Sequence, residues 1–272
     1  MFRGFIELAH AASALRLNVE IYEPDVDARQ NLIDSLGSYG FTRLESPRSY
    51  AQTVLIDLRP PEHELLTSFH PTCRKNIKAF AKHGLQCLPV NAALHVERLN
   101  ELVGEAMSRT GGDSFAVDWM GLAKLIETDQ TSACLLGAFR CDVDGPEALI
   151  GIVLGLRHGD VVEYSVAASA RVPEVRAPLL YEPTWSLFRW AKKQGASWFD
   201  FGGVTLGSKE SGDPLGGISD FKRYFSANVV EVGAELVYTP SNRQAVMARW
   251  ISRTARAARK AMPARESSGK RS

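Results

Sequence analysis

The sequence predicts an α+β fold in which a mixed, largely antiparallel sheet is flanked by helices. Three strand-like runs follow one another along the chain, namely Ala133–Cys141, Ala148–Leu156 and Val161–Ala168. The turns between them contain Asp144-Gly145 and Gly159-Asp160, and dipeptides of this kind favour antiparallel hairpins. A long helical run at Leu179–Gln194 then leads into a further strand at Ser197–Phe201.

Helices and short strands also alternate before this meander. Hydrophobic periodicity and helix-end signals predict helices, which we place at 5–17, 28–36, 62–69, 72–83, 94–109 and 118–127. Runs of β-prone residues predict strands at Val19–Tyr22 and Thr53–Leu58. Gly84 is expected to cap the helix over 72–83, because glycine readily adopts the left-handed conformation. After the meander we expect a short helix at Asp220–Phe225 and a last strand at Val229–Tyr238.

Composition excludes several classes of protein. Of the 272 residues, 45% are hydrophobic and 23% are charged, which is typical of a globular protein. No run of about 18 apolar residues occurs, so we expect no membrane-spanning helix and a cytoplasmic location. The N-terminal segment is interpreted as a helix and not as a signal peptide, because it has no small-residue cleavage site. The four cysteines form no CxxC pair, which favours reduced thiols and no zinc site.

The charge is unevenly distributed. The segment 240–272 carries nine basic residues and one acid, a net charge of +8, which leaves −7 for the rest because the chain total is +1. We expect a basic helix at Arg243–Met262, with Val246, Trp250 and Ile251 near one face, followed by a disordered tail. A basic amphipathic helix favours an anionic membrane surface or a nucleic acid, although packing on the protein itself is an equal alternative.

Three stretches together resemble the FemABX family of peptidoglycan bridge-forming aminoacyltransferases. The stretch TCRKNIKAFAKHGL (72–85) resembles that family's basic helix, and WAKKQGASWFDFGGV (190–204) is similar to its helix–strand–loop motif. The third, GISDFKRYF (217–225), resembles its FK motif. The sequence departs from the family pattern at Lys75, where an aromatic residue is common, and at Ser226, where glycine is usual.

The resemblance implies GNAT-like architecture, with a domain order that we can place on the chain. It implies a partial N-terminal GNAT-like unit at 1–60, a GNAT-like transferase domain at 61–239, and the basic helix and tail at 240–272. A weak echo between the segments 5–25 and 183–203 supports two copies of one α/β unit. The implied activity is transfer of an amino acid from aminoacyl-tRNA to the stem peptide of a lipid- or UDP-linked muropeptide, with no metal and no bound cofactor.

The first group of candidate site residues is a basic stripe. Arg74, Lys78 and Lys82 are four residues apart, so on a helix they share one face. Fixed cations make charge-assisted bonds to phosphate oxygens, so the stripe is interpreted as a binding site for a phosphate-bearing substrate. A solvated helix face is the alternative.

The second group consists of Lys222 and Asp200, the two candidate catalytic residues. Lys222 belongs to the FK pair, and a positioned cation can stabilise the oxyanion of acyl transfer or bind a substrate phosphate. Asp200 ends a predicted strand, where it could orient the attacking amine, accept its proton, or cap the following loop. A surface lysine beside a buried Phe221 is the alternative for Lys222.

Four further residues are expected to line the site. Gly202 and Gly203 follow the strand end, where ligands approach the backbone closely. Tyr164 and Ser165 lie on the strand before the long helix, where GNAT folds open to admit the acyl donor, although a strand tyrosine is more often a packing residue.

The choice of acyl donor is argued from the segment ASARVPEVRAP (168–178). A coenzyme A site of the GNAT type uses backbone amides of a glycine-containing loop, whereas this segment has no glycine and two prolines. Arg171 and Arg176 replace those amides only in part, so the sequence favours aminoacyl-tRNA over acyl-CoA. An acyl-CoA-dependent N-acyltransferase of amino-sugar or polysaccharide precursors, and a non-catalytic phosphate-binding module, are the alternatives.

Overall fold

The computed structural model describes residues 2–45, 50–110 and 116–240, and they form the predicted α+β fold. The helices within these ranges are α1 Phe2–Ala11, α2 Val26–Ser38, α3 Glu62–Ser68, α4 Pro71–Ala79, α5 Val96–Thr110, α6 Trp119–Thr128, α7 Tyr181–Lys193 and α8 Gly216–Arg223. The strands are β1 Leu17–Tyr22, β2 Thr42–Arg43, β3 Gln52–Asp57, β4 Leu85–Pro89, β5 Ala133–Arg140, β6 Leu149–His158, β7 Val161–Ser169, β8 Trp198–Gly203, β9 Val229–Glu231 and β10 Gly233–Tyr238.

The chain divides into two compact units. Unit 1 combines the N-terminal segment up to Ala51 with the residues from Val232 onward, and unit 2 is the continuous segment Gln52–Glu231. This division differs from the sequence-based boundaries near residues 60 and 240. The difference arises because β3 belongs to the sheet of unit 2, whereas β10 pairs with β1 in unit 1. The predicted basic helix at 243–262 lies outside the described residues.

Unit 2 is built on a seven-stranded sheet with the order β4-β5-β6-β7-β8-β3-β9. Its strand pairs are antiparallel except β7 with β8, which confirms the mixed, largely antiparallel sheet. Leu136 and Val153 pack with residues of α7 in one apolar cluster, whereas Leu135 and Ile152 pack with α5 and α6 in a second. Since neighbouring strand residues face opposite sides, the two clusters cover the two faces of the sheet.

A bulge in β7 changes which side chains face α7. Leu154 pairs with Val166, but its neighbour Gly155 pairs with Tyr164, so Ser165 is an extra residue on β7. Such an insertion reverses the alternation of side chains. Tyr164 therefore packs in the cluster that contains α7, while Val166 packs in the cluster of α5 and α6.

Strands β7 and β8 stay together over only a short stretch. Their parallel pairing joins Val161–Glu163 to Trp198–Asp200. Beyond Asp200, strand β8 continues to pair with β3 on its other side, ending at the pair Thr53–Gly203. The sheet therefore opens between β7 and β8 at the carboxyl end of β8.

Unit 1 contains a three-stranded sheet with β10 between β1 and β2. The segment Val229–Tyr238 was predicted as one strand, and this prediction is wrong, because β9 pairs with β3 in unit 2 while β10 pairs with β1. Gly233 begins β10, and a Cβ at this position would lie 2.3 Å from the Tyr50 carbonyl oxygen. Only glycine permits this close approach of two backbone segments.

Local signals explain where several elements end. Helix α4 ends at Ala79 and continues as a 3₁₀ turn over Phe80–His83, after which Gly84 adopts φ 68°, as expected of a helix cap. Helix α1 ends at Ala11 rather than at the predicted residue 17, since Ser13 adopts φ 51° and the chain turns there. Within the described ranges, no helix combines the length and the apolar character needed to span a bilayer.

Candidate active site at the end of strand β8

Five residues meet where β8 parts from β7, and we call them the β8 site. They are Thr53, Asp200, Gly202, Gly203 and Lys222. Four of them were predicted as site residues, and the structure brings those four together. Thr53 was not predicted. All five belong to unit 2.

Helix α8 places Lys222 against the end of β8. Phe221 packs on the main apolar cluster of unit 2 and Phe225 is buried within it, which fixes the orientation of the helix. Lys222 is only 8% exposed, so the alternative of a surface lysine is wrong. Its Nζ donates a hydrogen bond to the carbonyl oxygen of Gly203 at 2.7 Å.

Burial changes the titration of Lys222. Desolvation disfavours the charged form and lowers the pKa of the Lys222 ammonium to about 8, while the nearby Asp200 carboxylate partly opposes this shift. The group is therefore mostly protonated at neutral pH, and it titrates much closer to neutrality than an exposed lysine.

Asp200 organises the turn that follows it. Its Oδ1 accepts a hydrogen bond from the Gly202 backbone N–H at 2.7 Å, the pattern of an Asx turn. Gly202 adopts φ 68°, and the pairing with β3 shifts register here, so β8 carries a bulge at this point. A glycine is required at 202 because other residues are strained in this conformation.

Thr53 of β3 closes the turn from the other side. It is fully buried, and its hydroxyl lies within hydrogen-bonding distance of Asp200 Oδ1 and of the Gly202 carbonyl oxygen, the latter at 2.9 Å. In sequence the only signal is one hydroxyl residue at the start of an apolar strand. The partner residues lie almost 150 positions away, so no local pattern could identify the contact.

The loop from β8 to α8 is held rigidly by its own polar contacts. Ser219 Oγ accepts a hydrogen bond from the Thr205 backbone N–H at 3.0 Å. The Arg223 guanidinium donates to the Gly207 carbonyl at 3.0 Å and pairs with Asp220 at 3.1 Å. A Cβ on Gly216 would lie 2.1 Å from the Ser208 carbonyl carbon, so the first turn of α8 sits directly on this loop. These contacts fix the start of the helix that carries Lys222.

Tyr164 and Ser165 are placed differently from each other. Tyr164 is buried, its ring packs on Phe199 and Phe201, and its hydroxyl lies 3.4 Å from that of Thr184. Burial raises the pKa of this tyrosine well above its usual range. The packing alternative therefore describes Tyr164 best. Ser165 is half-buried at the bulge of β7, beside the opening between β7 and β8.

The predicted basic stripe does not join the β8 site. Lys78 and Lys82 are exposed. Arg74 is half-buried, and its guanidinium donates to the carbonyl oxygens of Thr67 and Phe69 at the end of α3. The hydrogen bonds described for Arg74 are to carbonyl groups at the end of α3, whereas that of Lys222 is to Gly203.

The beginning of α4 nevertheless contacts the end of α8. The His70 ring stacks on Tyr224 with 4.7 Å between ring centroids, and the His70 backbone N–H donates to the Tyr224 carbonyl oxygen at 2.9 Å. His70 also caps α4, since its Nδ1 accepts a hydrogen bond from the Thr72 N–H. The FK motif is thus packed against the residue that caps the basic-helix motif, even though the cations of the two motifs have different partners.

A separate groove of about 560 Å³ lies along the C-terminal half of α7. It is lined by Glu62, Ser186, Arg189, Trp190, Lys192 and Lys193. None of the predicted site residues lines it. Lys192 Nζ donates to the carbonyl oxygens of Leu58 and Pro60, so this cation stabilises the backbone beyond β3.

The segment 168–178, which the donor argument concerns, contains the end of β7 and then irregular backbone leading to α7. Two of its amides are already used, because Ala170 donates to the Ile150 carbonyl at 2.9 Å and Val175 donates to the Val172 carbonyl at 3.0 Å. The first residue before α7, Leu180, makes no side-chain cap. Pro173 and Pro178 have no amide to offer.

The described residues contain no group of three or more His, Cys, Asp or Glu side chains arranged to hold a metal ion. All four cysteines are free thiols, with Cys73 buried and Cys141 exposed. Burial raises the pKa of Cys73 to about 12 and that of Cys87 to about 11, so neither is a ready thiolate nucleophile.

Comparison with known proteins supports the fold. No protein-family model matches the sequence, and no curated protein sequence matches it closely. The structure of FemX superposes with a TM-score of 0.68 at 14% identity, over 88% of this chain and 75% of FemX. The C-terminal domain of an Agrobacterium fabrum protein described as a lysylphosphatidylglycerol synthetase superposes with a TM-score of 0.55 at 14% identity, over 93% of this chain and 76% of that one.

A tandem GNAT protein from the clavulanic acid biosynthesis pathway also superposes, with a TM-score of 0.52 at 13% identity, over 87% of this chain and 68% of that one. The FemABX-like and GNAT-like fold that the motifs predict is therefore confirmed. At these identities the likeness concerns the fold alone.

Proposed function

We propose that this chain is an acyltransferase that moves an amino acid from aminoacyl-tRNA to an amine on the stem peptide of a peptidoglycan precursor. The observation that carries the proposal is the buried Lys222, which lies at the open end of β8 in a fold like that of FemX. The three sequence motifs that resemble the FemABX family all lie in unit 2, and two of them supply four of the five residues of the β8 site, with Thr53 coming from β3.

The chemistry follows from what these groups can do. The acceptor amine attacks the ester carbonyl of the aminoacyl-tRNA, a C–N bond forms, and the carbonyl oxygen becomes an oxyanion. The Lys222 ammonium stabilises that charge with its N–H donors. When the intermediate collapses, the C–O bond to the ribose breaks, the released hydroxyl takes a proton, and the amine nitrogen loses one.

Asp200 has a supporting role in this proposal. Its Oδ1 is already occupied by the Gly202 amide and the Thr53 hydroxyl. The carboxylate therefore stabilises the turn at the end of β8 and favours the protonated form of Lys222. Gly203 contributes its carbonyl oxygen as the hydrogen-bond acceptor that fixes Lys222 Nζ.

Two features favour aminoacyl-tRNA over an acyl-CoA as donor. The segment 168–178 lacks glycine, and two of its amides are already bonded within the protein. A pyrophosphate would find few of the backbone donors that anion sites of this kind use. No bound cofactor is required, since the aminoacyl ester is itself the activated carbonyl.

The acceptor is the less constrained part of the proposal. The likeness to FemX favours a muropeptide amine, and Lys78 and Lys82 are exposed cations suited to the phosphates of a lipid- or UDP-linked precursor. The likeness to a protein described as a lysylphosphatidylglycerol synthetase favours a second candidate, the headgroup of phosphatidylglycerol. Both acceptors are phosphate-bearing molecules.

A transfer assay distinguishes these possibilities. The full chain is incubated with radiolabelled aminoacyl-tRNA and either lipid II, a UDP-linked muropeptide or phosphatidylglycerol vesicles, with labelled acetyl-CoA as the rival donor. Label on a muropeptide from aminoacyl-tRNA supports the proposal. Transfer from acetyl-CoA alone would overturn it in favour of an acyl-CoA enzyme, and muropeptide binding without turnover from any donor would indicate a non-catalytic module.

The basic segment 243–262 is proposed to bring the enzyme to the anionic cytoplasmic face of the membrane, where lipid-linked precursors are found. Each cation near such a surface contributes on the order of 1 kcal/mol. Deleting residues 241–272 should weaken sedimentation with phosphatidylglycerol vesicles and leave sedimentation with neutral vesicles unchanged. Equal binding of the shortened and full chains would contradict this role, and lost binding to tRNA would assign the segment to the donor.

A further inference from the structure

The hydroxyl of Thr53 is buried in a position where it must have a polar partner. Thr53 is fully buried on β3, and the residues that follow it, Val54 and Ile56, are buried in the apolar core of unit 2. A hydroxyl removed from water costs free energy unless it is hydrogen-bonded. Its neighbours are Asp200 Oδ1 and the Gly202 carbonyl oxygen, so one proton is shared between two acceptors on β8.

These two acceptors belong to one small turn. Asp200 Oδ1 also accepts from the Gly202 amide at 2.7 Å, so the carboxylate, the amide and the Thr53 hydroxyl converge on the same point. Gly202 is in the left-handed conformation, and β8 is bulged there. A bulge interrupts the regular ladder of backbone hydrogen bonds, so side chains have to stabilise it.

The turn from Asp200 to Gly203 also determines where the Lys222 side chain lies. Gly203 follows it directly, and its carbonyl oxygen accepts the hydrogen bond from Lys222 Nζ at 2.7 Å. An ammonium group has three donors, and one of them is used in this way. This hydrogen bond fixes the position of Nζ and thereby the directions of the other two donors. If the Gly203 carbonyl group moved, all three N–H donors of the Lys222 ammonium group would change direction.

We propose that Thr53 is a positioning residue, which fixes the turn from Asp200 to Gly203 and thereby aims the ammonium group of Lys222. It acts from β3, through Asp200 and Gly202, and touches no reacting atom. The inference rests on the function proposed above for the β8 site.

The first test measures Lys222 directly and needs no substrate. Protein labelled with [13Cε]lysine gives one signal per lysine, and the Lys222→Met variant assigns the signal of Lys222. In Thr53→Val, which removes the hydroxyl but keeps the branched shape, we expect the Lys222 signal to move and its titration midpoint to shift. Thr53→Ser keeps the hydroxyl and should return both to their original values.

Thr184→Val is the matched control. Thr184 is also a fully buried threonine in unit 2, and its described side-chain partner is the Tyr164 hydroxyl, away from the turn. This variant should leave the Lys222 signal in place. If Thr53→Val does not fold, Thr53→Ala serves as the second variant. A Lys222 signal and titration that are the same in wild type and the folded Thr53 variant would overturn the inference.

The second test uses the transfer assay. Misplacement of a catalytic group by about 1 Å costs up to about 100-fold in rate, so Thr53→Val should lower kcat by about 10- to 100-fold. KM should change by less than about threefold, and Thr53→Ser should recover most of kcat. If wild type shows no turnover with any donor, the proposed function fails while the NMR result still decides the role of Thr53. Full kcat in Thr53→Val, with turnover in wild type, would refute the positioning role alone.

Discussion

The β8 site and the helical segment 71–83 each contain cations from motifs that resemble the FemABX family, but these cations lie in different environments. Lys222 is buried, hydrogen-bonded to Gly203, and close to a carboxylate. Lys78 and Lys82 are exposed to water. A buried cation has one defined position and a shifted titration, whereas an exposed one is mobile and screened by salt. We therefore expect catalysis to depend on the first region and substrate affinity on the second.

The largest difference between the regions should come from removing Lys222. Lys222→Ala removes the donor that we propose stabilises the oxyanion, and loss of one such donor costs about 100- to 1,000-fold in kcat. The measurement is kcat in the aminoacyl-tRNA transfer assay. Lys209→Ala is the matched control, because Lys209 is an exposed lysine on the adjacent loop, and it should retain full activity. Equal activity in both variants would remove Lys222 from the mechanism.

The pH dependence of stability sharpens the same comparison. The pKa of Lys222 falls from 10.5 in the unfolded chain to about 8 in the folded one, so between these pH values the unfolded state binds more protons. The free energy of unfolding therefore rises with pH in this range. The cost of burying the charged Lys222 is absent above pH 10.5, and it grows to its full size as the pH falls to about 8 and below.

The shift corresponds to about 3 kcal/mol as an upper limit. Denaturant unfolding of wild type and Lys222→Met at pH 7.5 and pH 10 measures it. The free energy of unfolding of wild type should rise relative to the variant at the higher pH. An equal rise in wild type and Lys222→Met would mean that burial of Lys222 is not the cause.

A change in the backbone of the β8 site should have a smaller effect. Gly202→Ala forces a side chain into the left-handed conformation, which costs about 1–2 kcal/mol of the free energy of unfolding. Gly104→Ala is the control, for which we expect the opposite change in the free energy of unfolding. Gly104 is exposed on α5 with open space around its Cβ position, so alanine should stabilise the helix by about 1 kcal/mol. Urea unfolding of both variants measures the two effects, and destabilisation by both would argue against the conformational cause.

The smallest effects are expected for the three cations of the basic stripe, of which Arg74 and Lys78 lie on α4 and Lys82 lies on the 3₁₀ turn after it. Arg74→Ala should destabilise unit 2 by about 1 kcal/mol, because the guanidinium bonds two carbonyl groups at the end of α3. Lys78→Ala and Lys82→Ala should change stability by less than about 0.5 kcal/mol. They should instead raise KM for a phosphate-bearing acceptor, more strongly at low salt than at high salt. An unchanged KM in the double variant at low salt would identify the stripe as a solvated face.

Local signals predicted much of the fold from sequence. Gly84 ends the helical segment as expected, and Asp118 caps α6 through its carboxylate, which accepts from the Gly121 amide. These features are readable because cause and effect lie within four residues of each other. The split of Val229–Tyr238 into two strands was not readable, since it depends on which distant strand each half finds as a partner.

The candidate site, too, could be predicted only where the signal is local in sequence. Helical spacing predicts that the stripe residues share one face, but spacing cannot reveal that Arg74 is engaged by carbonyl groups at the end of another helix. The FK motif pointed to Lys222 as a candidate residue, but a short motif does not reveal that the side chain is buried. Thr53 reaches its partners only through the sheet order, in which β3 lies beside β8, and that order is a property of the whole fold.

The position of β10 between β1 and β2 bears on how the chain is made. β1 and β2 do not pair with each other, so the small sheet of unit 1 can form no backbone hydrogen bonds between strands until β10 has been synthesised. That strand leaves the ribosome after the whole of unit 2. All the strands of unit 2 are therefore synthesised before β10. Until then β1 and β2 have unpaired edges, and such edges are prone to aggregate.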